Sequence, residues 1–277
     1  MKKITVKEFR ELKGARKISM LTAYDASMAR LVDGAGIDAL LVGDSLGMVT
    51  LGYDSTLPVT MEEMLHHTAA VSRGAAQALV IADMPFGSYQ ISPEQAVSNG
   101  IRFLKEGGCA AVKIEGGEEV CDTVRALVKA GVPTLGHIGL TPQTAGQLGG
   151  YKVQGKDLAA ARKLLDDARS LDAAGVFGIV LEAMPASLAA AISKAVAVPT
   201  IGIGAGPHCD GQVLVMHDLI GLFEKFIPSF VKQYVNLAPQ IKTAVQSYIS
   251  EVESGAFPGP EHSFASKEDF SELLSGG

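Results

Sequence analysis

Residues 39–44 have the sequence Ala-Leu-Leu-Val-Gly-Asp, a short apolar run that ends at a carboxylate. Similar runs of Val, Ile, Leu and Ala recur along the chain without polar alternation, which is typical of strands buried on both faces of a parallel sheet. The last run gives the weakest signal. We predict eight strands, at 18–23, 39–43, 79–84, 110–115, 133–138, 178–183, 199–204 and 213–216.

Amphipathic segments with recognisable ends separate the predicted strands. Thr60 and Glu63 have the spacing of a capping box, and Gly74 is the expected end of that helix. Further helices are predicted over 92–107 and 156–175. Eight β–α alternations favour an α/β fold of the closed (β/α)₈ TIM-barrel type, and an open doubly wound sheet is the alternative.

The length of the chain, 277 residues, suits one such barrel, which typically needs about 250 residues. After residue 217 the alternation stops. We predict a long helix over 230–253, interrupted at Pro239, so that extra helices follow the barrel. We therefore expect one catalytic domain over 1–255 and a Pro-, Gly- and Ser-rich tail over 256–277.

The composition argues against several classes of protein. The formal net charge is −6 and the chain lacks the basic stripe that nucleic acid requires. Three scattered cysteines argue against a disulfide framework and against a zinc cluster. The N-terminus lacks a signal-peptide core, and charges and glycines interrupt the apolar segment 178–206. We expect a cytoplasmic protein without nucleic-acid or membrane partners.

Ionisable residues stand where five successive predicted strands end. In a parallel barrel these ends share one rim, which is where barrel enzymes have their active sites. Lys113 precedes Glu115 by two positions, so both side chains lie on one face of their strand. A buried lysine is costly unless it is paired. We predict one pocket that contains Lys113 and the five strand-end residues Asp44, Asp83, Glu115, His137 and Glu182.

Each of these residues also has a structural interpretation. Asp44 and Asp83 lie beside turn-forming residues, and Lys113 could form an ion pair with Glu115 for stability alone. Glu182 could complement a following helix N-terminus, and His137 could be a satisfied core histidine. Their occurrence together favours function. His66 and His67 are neighbours on one helix, so they cannot bind one ion together and are expected to be structural, while His208 and His217 lack convincing partners.

Oxygen ligands without clustered Cys or His suit Mg²⁺. Such an ion can chelate a 2-oxo acid and, as a Lewis acid, stabilise the enolate that forms when a neighbouring proton leaves. Lys113 would then neutralise carboxylate or enolate charge, and Ser45 could donate a hydrogen bond to the substrate carboxylate. Glu182, on a separate strand, is the expected base.

Two glycine-rich loops follow predicted strands. The segment 139–155 is long enough to suggest a mobile lid or a cofactor contact, with a loop of no role as the alternative. The run 202–206 follows the seventh strand, where many barrels bind phosphate. Its glycines could equally serve a tight turn, and no Lys or Arg flanks them.

Several specific motifs occur along the chain: MLTAYD at 20–25, VGDSLGM at 42–48, TLPVT at 56–60, VKIEGG at 112–117, GHIGLTPQ at 136–143, GGYKVQG at 149–155, IGIGAG at 201–206, DGQ at 210–212, VMHD at 215–218 and EHSF at 261–264. These motifs closely resemble those of the ketopantoate hydroxymethyltransferase family. The resemblance extends over almost the whole chain.

The resemblance implies a barrel of the phosphoenolpyruvate/pyruvate type that transfers a hydroxymethyl group from 5,10-methylenetetrahydrofolate to 3-methyl-2-oxobutanoate, giving 2-dehydropantoate and tetrahydrofolate in pantothenate and coenzyme A biosynthesis. It also implies a homo-oligomer, with a homodecamer as the analogous assembly. The implied site has Asp44, Asp83 and Glu115 around Mg²⁺, with Asp44, Ser45, Asp83 and Lys113 on the keto acid, Glu182 as proton acceptor, and His137 nearby.

Two other functions compete with this interpretation. A Mg²⁺-dependent C–C lyase acting on a 2-oxo acid would resemble related barrels, but those tend to carry a reactive cysteine in a Lys-Lys-Cys-Gly-His-like loop that this sequence lacks. A non-catalytic binding or scaffold protein would be expected to have lost part of the carboxylate set, which is complete here.

Overall fold

The computed structural model describes residues 3–147 and 149–274. Eight parallel strands close into a barrel in sequence order, with β1 paired to both β2 and β8. This confirms the predicted (β/α)₈ fold. The strands are β1 Ile18–Thr22, β2 Ala39–Val42, β3 Leu79–Asp83, β4 Ala111–Glu115, β5 Thr134–Gly139, β6 Gly178–Glu182, β7 Thr200–Ile203 and β8 Gly211–Leu214.

Helices surround the barrel and extend beyond its last strand. The α-helices are α1 Val6–Glu11, α2 Ala26–Gly34, α3 Leu46–Val49, α4 Met61–Gly74, α5 Pro93–Arg102, α6 Cys121–Lys129, α7 Leu158–Ala174, α8 Ala186–Ala195, α9 Met216–Leu219 and α10 Ala238–Ser254. Shorter turns are the π-helical Phe103–Gly107 and the 3₁₀ segments Glu118–Val120, Pro142–Thr144, Pro260–His262 and Ser271–Leu274.

The predicted helix signals act as expected at two helices. Thr60 and Glu63 form the reciprocal capping box of α4, and the helix ends at Gly74. Asp157 caps α7 through the amide of Ala160, and Gly175 ends that helix in the left-handed conformation with φ 101°. The predicted helix over 92–107 is α5 followed by the π-helical turn.

Two apolar clusters hold the layers together. One fills the barrel interior with strand side chains, and Phe9 of α1 joins it by an edge contact to Phe177, 5.6 Å between ring centroids. Because Phe177 immediately precedes β6, α1 covers the end of the barrel at which the strands begin. The other cluster lies between the strands and the outer helices. The opposite rim is thereby left open for a site.

The C-terminal region differs from its prediction. The predicted helix over 230–253 was wrong at its start, because α10 begins at Ala238 with Pro239 in its first turn. Proline lacks an N–H, so it fits a helix start better than a helix interior. Residues 222–237, which we call the crossing segment, contain no helix or strand.

Residues 275–277 of the predicted tail and residues 1, 2 and 148 lie outside the described residues, and the division at 255 stays a prediction. Within the described ranges, no helix is long and apolar enough to cross a membrane.

The packing of α2 on α4 gives a test of the outer layer. A Cβ at Gly74 would lie 2.4 Å from the carbonyl oxygen of Ala26, so we expect Gly74→Ala to destabilise the fold by about 1–3 kcal/mol. Gly34→Ala is the control, because nothing lies within 4 Å of its added Cβ and alanine favours a helix by up to about 1 kcal/mol. Thermal unfolding measures both. Equal stability of the two variants would contradict this account of the packing.

Candidate active site

One cavity of about 470 Å³ opens at the rim where the strands end. All seven residues predicted for the site line it: Asp44, Ser45, Asp83, Lys113, Glu115, His137 and Glu182. The parallel register explains how they meet, because Asp83 pairs with Lys113 and Glu115 pairs with His137 across neighbouring strands. Their shared location agrees with the strand-end pattern, while the role of each residue stays a prediction.

Lys113 is a buried cation of the cavity. Its Nζ lies 3.2 Å from Asp83 Oδ1, 3.4 Å from Glu115 Oε1 and 3.0 Å from His137 Nδ1. Burial alone lowers the pKa of Lys113, but the neighbouring carboxylates outweigh burial and raise it above its ordinary value. The side chain is therefore charged at neutral pH.

Asp44 and Asp83 carry an excess of negative charge. The amide of Asp44 donates to Asp83 Oδ2 at 3.1 Å. Burial raises the pKa of Asp44 well above its usual range, and the charges of Asp83 and Glu115 raise it further. Oδ1 of Asp83 is buried and makes no hydrogen bond to the described residues, although Lys113 is close. An added cation would relieve this repulsion.

Glu115 is the best compensated carboxylate of the cavity. Oε1 lies 3.4 Å from both Lys113 and His137, and Oε2 accepts from the amide of Gln143 at 3.1 Å. Burial opposes its ionisation, but Lys113 and His137 outweigh burial and lower the pKa of Glu115 to about 2. Both carboxylate oxygens of Glu115 thus have partners within the protein.

The unsatisfied Oδ1 of Asp83 and the raised pKa of Asp44 fit a hard divalent ion held by these two carboxylates. Among the described residues, no group of three or more His, Cys, Asp or Glu side chains is arranged to hold a metal ion. Glu115 faces Lys113 and His137 here, and the predicted ligand set of Asp44, Asp83 and Glu115 stays a prediction. Mg²⁺ commonly uses one or two carboxylates and keeps several waters, so Asp44 and Asp83 suffice.

Glu182 stands at the end of β6 beside His137. The two side chains approach to 3.2 Å between Oε2 and Nε2. Burial and Lys113 lower the pKa of His137, but Glu115 and Glu182 outweigh both and raise it to about 9. The backbone around Glu182 is closely packed, since a Cβ at Gly139 would lie 2.2 Å from its carbonyl oxygen. The side chain of Glu182 is 15% exposed, so a ligand in the cavity can reach its carboxylate.

Ser45 is tied to Tyr24, which the sequence did not single out. The two hydroxyl oxygens lie 2.8 Å apart, and Tyr24 is buried. The carbonyl of Tyr24 lies 2.7 Å from Nδ1 of His67, and the Tyr24 ring packs on His217. His67 and His217 therefore both contact Tyr24 and support its position.

Gln143 was missed from the sequence, because a neutral amide in a loop gives no strand-end signal. Its Nε2 donates to Asp44 Oδ2 and to the carbonyl of Met84, both at 2.9 Å. Its Oε1 accepts from the hydroxyl of Tyr89 at 2.8 Å, and its amide donates to Glu115. Through its side chain and its backbone amide, Gln143 thus connects the loop after β5 to the carboxylates of Asp44 and Glu115.

The two glycine-rich loops have different surroundings. Residues of the 139–155 loop line the cavity, including Tyr151 and Lys152, whereas Leu148 lies outside the described residues. In the 202–206 run, Gly204 has φ 62° and a Cβ there would lie 2.8 Å from the ring of Phe230. This glycine therefore permits close packing of the crossing segment.

Comparison with known proteins gives consistent matches over most of the chain. Residues 3–260 match the family model described as ketopantoate hydroxymethyltransferase. The 3-methyl-2-oxobutanoate hydroxymethyltransferase of Desulfotalea psychrophila is 62% identical over 273 residues, covering 98% of each chain. The enzyme of the same name from Heliobacterium modesticaldum is 57% identical, covering 98% of this chain and 99% of the relative.

Solved structures with the same fold are much more distant in sequence. Phosphonopyruvate hydrolase in complex with oxalate and Mg²⁺ has a TM-score of 0.61 at 13% identity, covering 98% of this chain and 95% of that chain. 2,3-Dimethylmalate lyase, a member of the PEP mutase/isocitrate lyase superfamily, has a TM-score of 0.57 at 16% identity. The match covers 98% of this chain and 94% of the lyase chain. These similarities show that the chain shares its barrel fold with these proteins.

The repulsion at Asp44 gives a test of the cation site. At pH 8 we expect Asp44→Asn to stabilise the metal-free protein by roughly 1–2 kcal/mol, because the neutral amide removes the buried charge. The gain should vanish below about pH 4, where the carboxyl is protonated in the folded and unfolded states alike. Mg²⁺ should raise the melting temperature of the wild type and not that of the variant.

The control is Asp122→Asn, at an exposed carboxylate paired with Arg125. This substitution should change stability by less than about 0.5 kcal/mol and leave the Mg²⁺ effect intact. A Mg²⁺ shift of equal size in Asp44→Asn would contradict the assignment of Asp44 as a ligand.

Proposed function

The chain belongs to the ketopantoate hydroxymethyltransferase family, and we propose that its cavity adds a hydroxymethyl group from 5,10-methylenetetrahydrofolate to 3-methyl-2-oxobutanoate. The products are 2-dehydropantoate and tetrahydrofolate, as in pantothenate biosynthesis. One observation carries the mechanism: Glu182 lines the same cavity as Asp44, Asp83 and Lys113. The two aspartates could hold a metal ion and the lysine could neutralise the negative charge of a keto acid.

The anionic substrate is bound by a cationic group and a hydroxyl. Lys113, charged and buried, supplies a positive charge for the carboxylate or the developing enolate oxygen. Ser45, held by Tyr24, donates to the substrate carboxylate. Asp44 and Asp83 would hold Mg²⁺, which when bound supplies Lewis-acid stabilisation of negative charge on the substrate oxygens.

Glu182 is the proposed proton acceptor. The C3–H bond of the keto acid breaks, the proton passes to the Glu182 carboxylate, and the electron pair moves into the C2–C3 bond and onto the keto oxygen. C3 of this enolate then forms a bond to the carbon of the one-carbon unit, whose two C–N bonds to the folate break. One water supplies the hydroxyl group, and the remaining water proton and the C3 proton go to the two folate nitrogens of tetrahydrofolate. His137, 3.2 Å from Glu182, orients the carboxylate, and the charge of His137 is in turn balanced by Glu115.

We also propose that the protein functions as a homo-oligomer in the cytoplasm. Helix α10 supports the assembly, because it is almost wholly exposed and carries apolar residues at helical spacing. These residues are Ile241, Val245, Tyr248, Ile249 and Val252. A second copy of the chain is the expected cover for this face.

Proton exchange at C3 tests the proposed function. In D₂O with Mg²⁺ and no folate, the wild type should exchange the C3 proton of 3-methyl-2-oxobutanoate for deuterium. The loss of the C3 proton signal in the NMR spectrum measures the rate of this exchange. Glu182→Gln should slow this exchange roughly 10²–10⁴-fold and retain keto-acid binding, because the amide cannot accept the proton. Glu11→Gln, on α1 at the far end of the barrel, is the control and should behave as wild type. Lost binding in Glu182→Gln would reassign Glu182 to a ligand role.

Gln143 is a positioning residue for Asp44, and its removal tests that role. Gln143→Ala should raise the Mg²⁺ concentration required for half-maximal exchange by roughly 10–100-fold, because Asp44 loses its orienting amide. Gln240→Ala, on exposed α10, should leave it unchanged. A Gln143→Ala variant with reduced stability but a wild-type Mg²⁺ requirement would show that Gln143 only packs the loop.

A further inference from the structure

Part of the cavity takes no role in the proton transfer. The side chains assigned to the proton transfer stand at the ends of β2 to β6, whereas β7, β8, β1 and the crossing segment complete the rim. This second part is lined by Asp218 of α9 and by Phe223, Phe226 and Phe230. It belongs to the same cavity as Glu182, so a ligand bound there is beside the reacting keto acid.

Asp218 is a buried carboxylate with unused hydrogen-bonding capacity. The residue is 7% exposed, and its Oδ1 is buried without a hydrogen-bond partner in the part of the chain that the structure describes. Burial raises the pKa of Asp218 to about 6, so the group is largely ionised at neutral pH. Buried polar groups are normally satisfied, and an unsatisfied acceptor in a cavity points to a ligand that donates hydrogen bonds.

The phenylalanines give the same part of the cavity an apolar wall. Phe230 packs over Gly204, which fixes the crossing segment against the loop after β7. Phe226 is 67% exposed although it borders the cavity. Exposed aromatic rings beside a cavity are suited to covering the faces of a flat ligand. The ligand expected here is therefore planar, with hydrogen-bond donors on one edge.

We propose that this part of the cavity binds the pterin ring of the one-carbon donor, with Asp218 accepting hydrogen bonds from the N3–H and the 2-amino group. The phenylalanines pack on the ring. This inference rests on the proposed function, in which the donor is a reduced folate. The ring edge and its two adjacent donors match the two oxygens of a carboxylate.

Binding of tetrahydrofolate and of an analogue without the 2-amino group tests the contact. The wild type should bind the analogue roughly 10–100-fold more weakly than tetrahydrofolate, because Asp218 then loses a partner. Asp218→Asn should bind tetrahydrofolate about as weakly as the wild type binds the analogue, and should discriminate little between the two. Asp122→Asn, at an exposed site, is the control and should bind both like the wild type.

Folate-independent C3 exchange separates this inference from the function on which it rests. Asp218→Asn and Phe226→Ala should exchange within about 2-fold of the wild type, and Phe226→Ala should weaken tetrahydrofolate binding about 10-fold. Unchanged tetrahydrofolate affinity in both variants would overturn the inference alone. Loss of exchange in a folded Asp218→Asn variant would also overturn it, by placing Asp218 in the keto-acid site. Absence of exchange in the wild type would overturn the proposed function itself.

Discussion

The site depends on the burial of more negative than positive charge at one rim of the barrel. Lys113 and His137 compensate Glu115, whose pKa falls to about 2. The same lysine only partly offsets Asp44, whose pKa rises well above its usual range because the group is buried and because Asp83 and Glu115 lie close by. The uneven distribution distinguishes Glu115, whose negative charge is balanced by its neighbours, from Asp44 and Asp83, the pair proposed to hold a cation. It also leaves a buried positive charge at Lys113 for an anionic substrate.

The barrel holds these opposing charges in place at little cost to its core. The apolar clusters lie within the barrel and outside it, while the strand register aligns Asp83 with Lys113 and Glu115 with His137. Gly139 lets β5 and β6 approach closely at Glu182. Gln143 joins the loop after β5 to Asp44, so the proposed cation site and that loop are connected by a hydrogen bond. Such support is required when a site must hold geometry within fractions of an ångström.

Much of this arrangement could be predicted from the sequence because strand ends in a parallel barrel share one rim. Apolar runs located the strands, and charge at their ends located Asp44, Asp83, Glu115, His137 and Glu182. The start of α10 was misplaced, because apolar residues 230–237 resemble a helix face although they form the crossing segment. Gln143 and Asp218 were missed for a related reason. Their partners lie far away in sequence, and only the closed barrel brings them together.

The most direct test of the charge arrangement is anomalous diffraction from crystals grown with Mn²⁺ and 3-methyl-2-oxobutanoate. The account predicts one strong peak within about 2–2.3 Å of a carboxylate oxygen from each of Asp44 and Asp83, with Glu115 still facing Lys113 and His137. A peak elsewhere on the rim, or an ion whose only carboxylate ligand is Glu115, would contradict it.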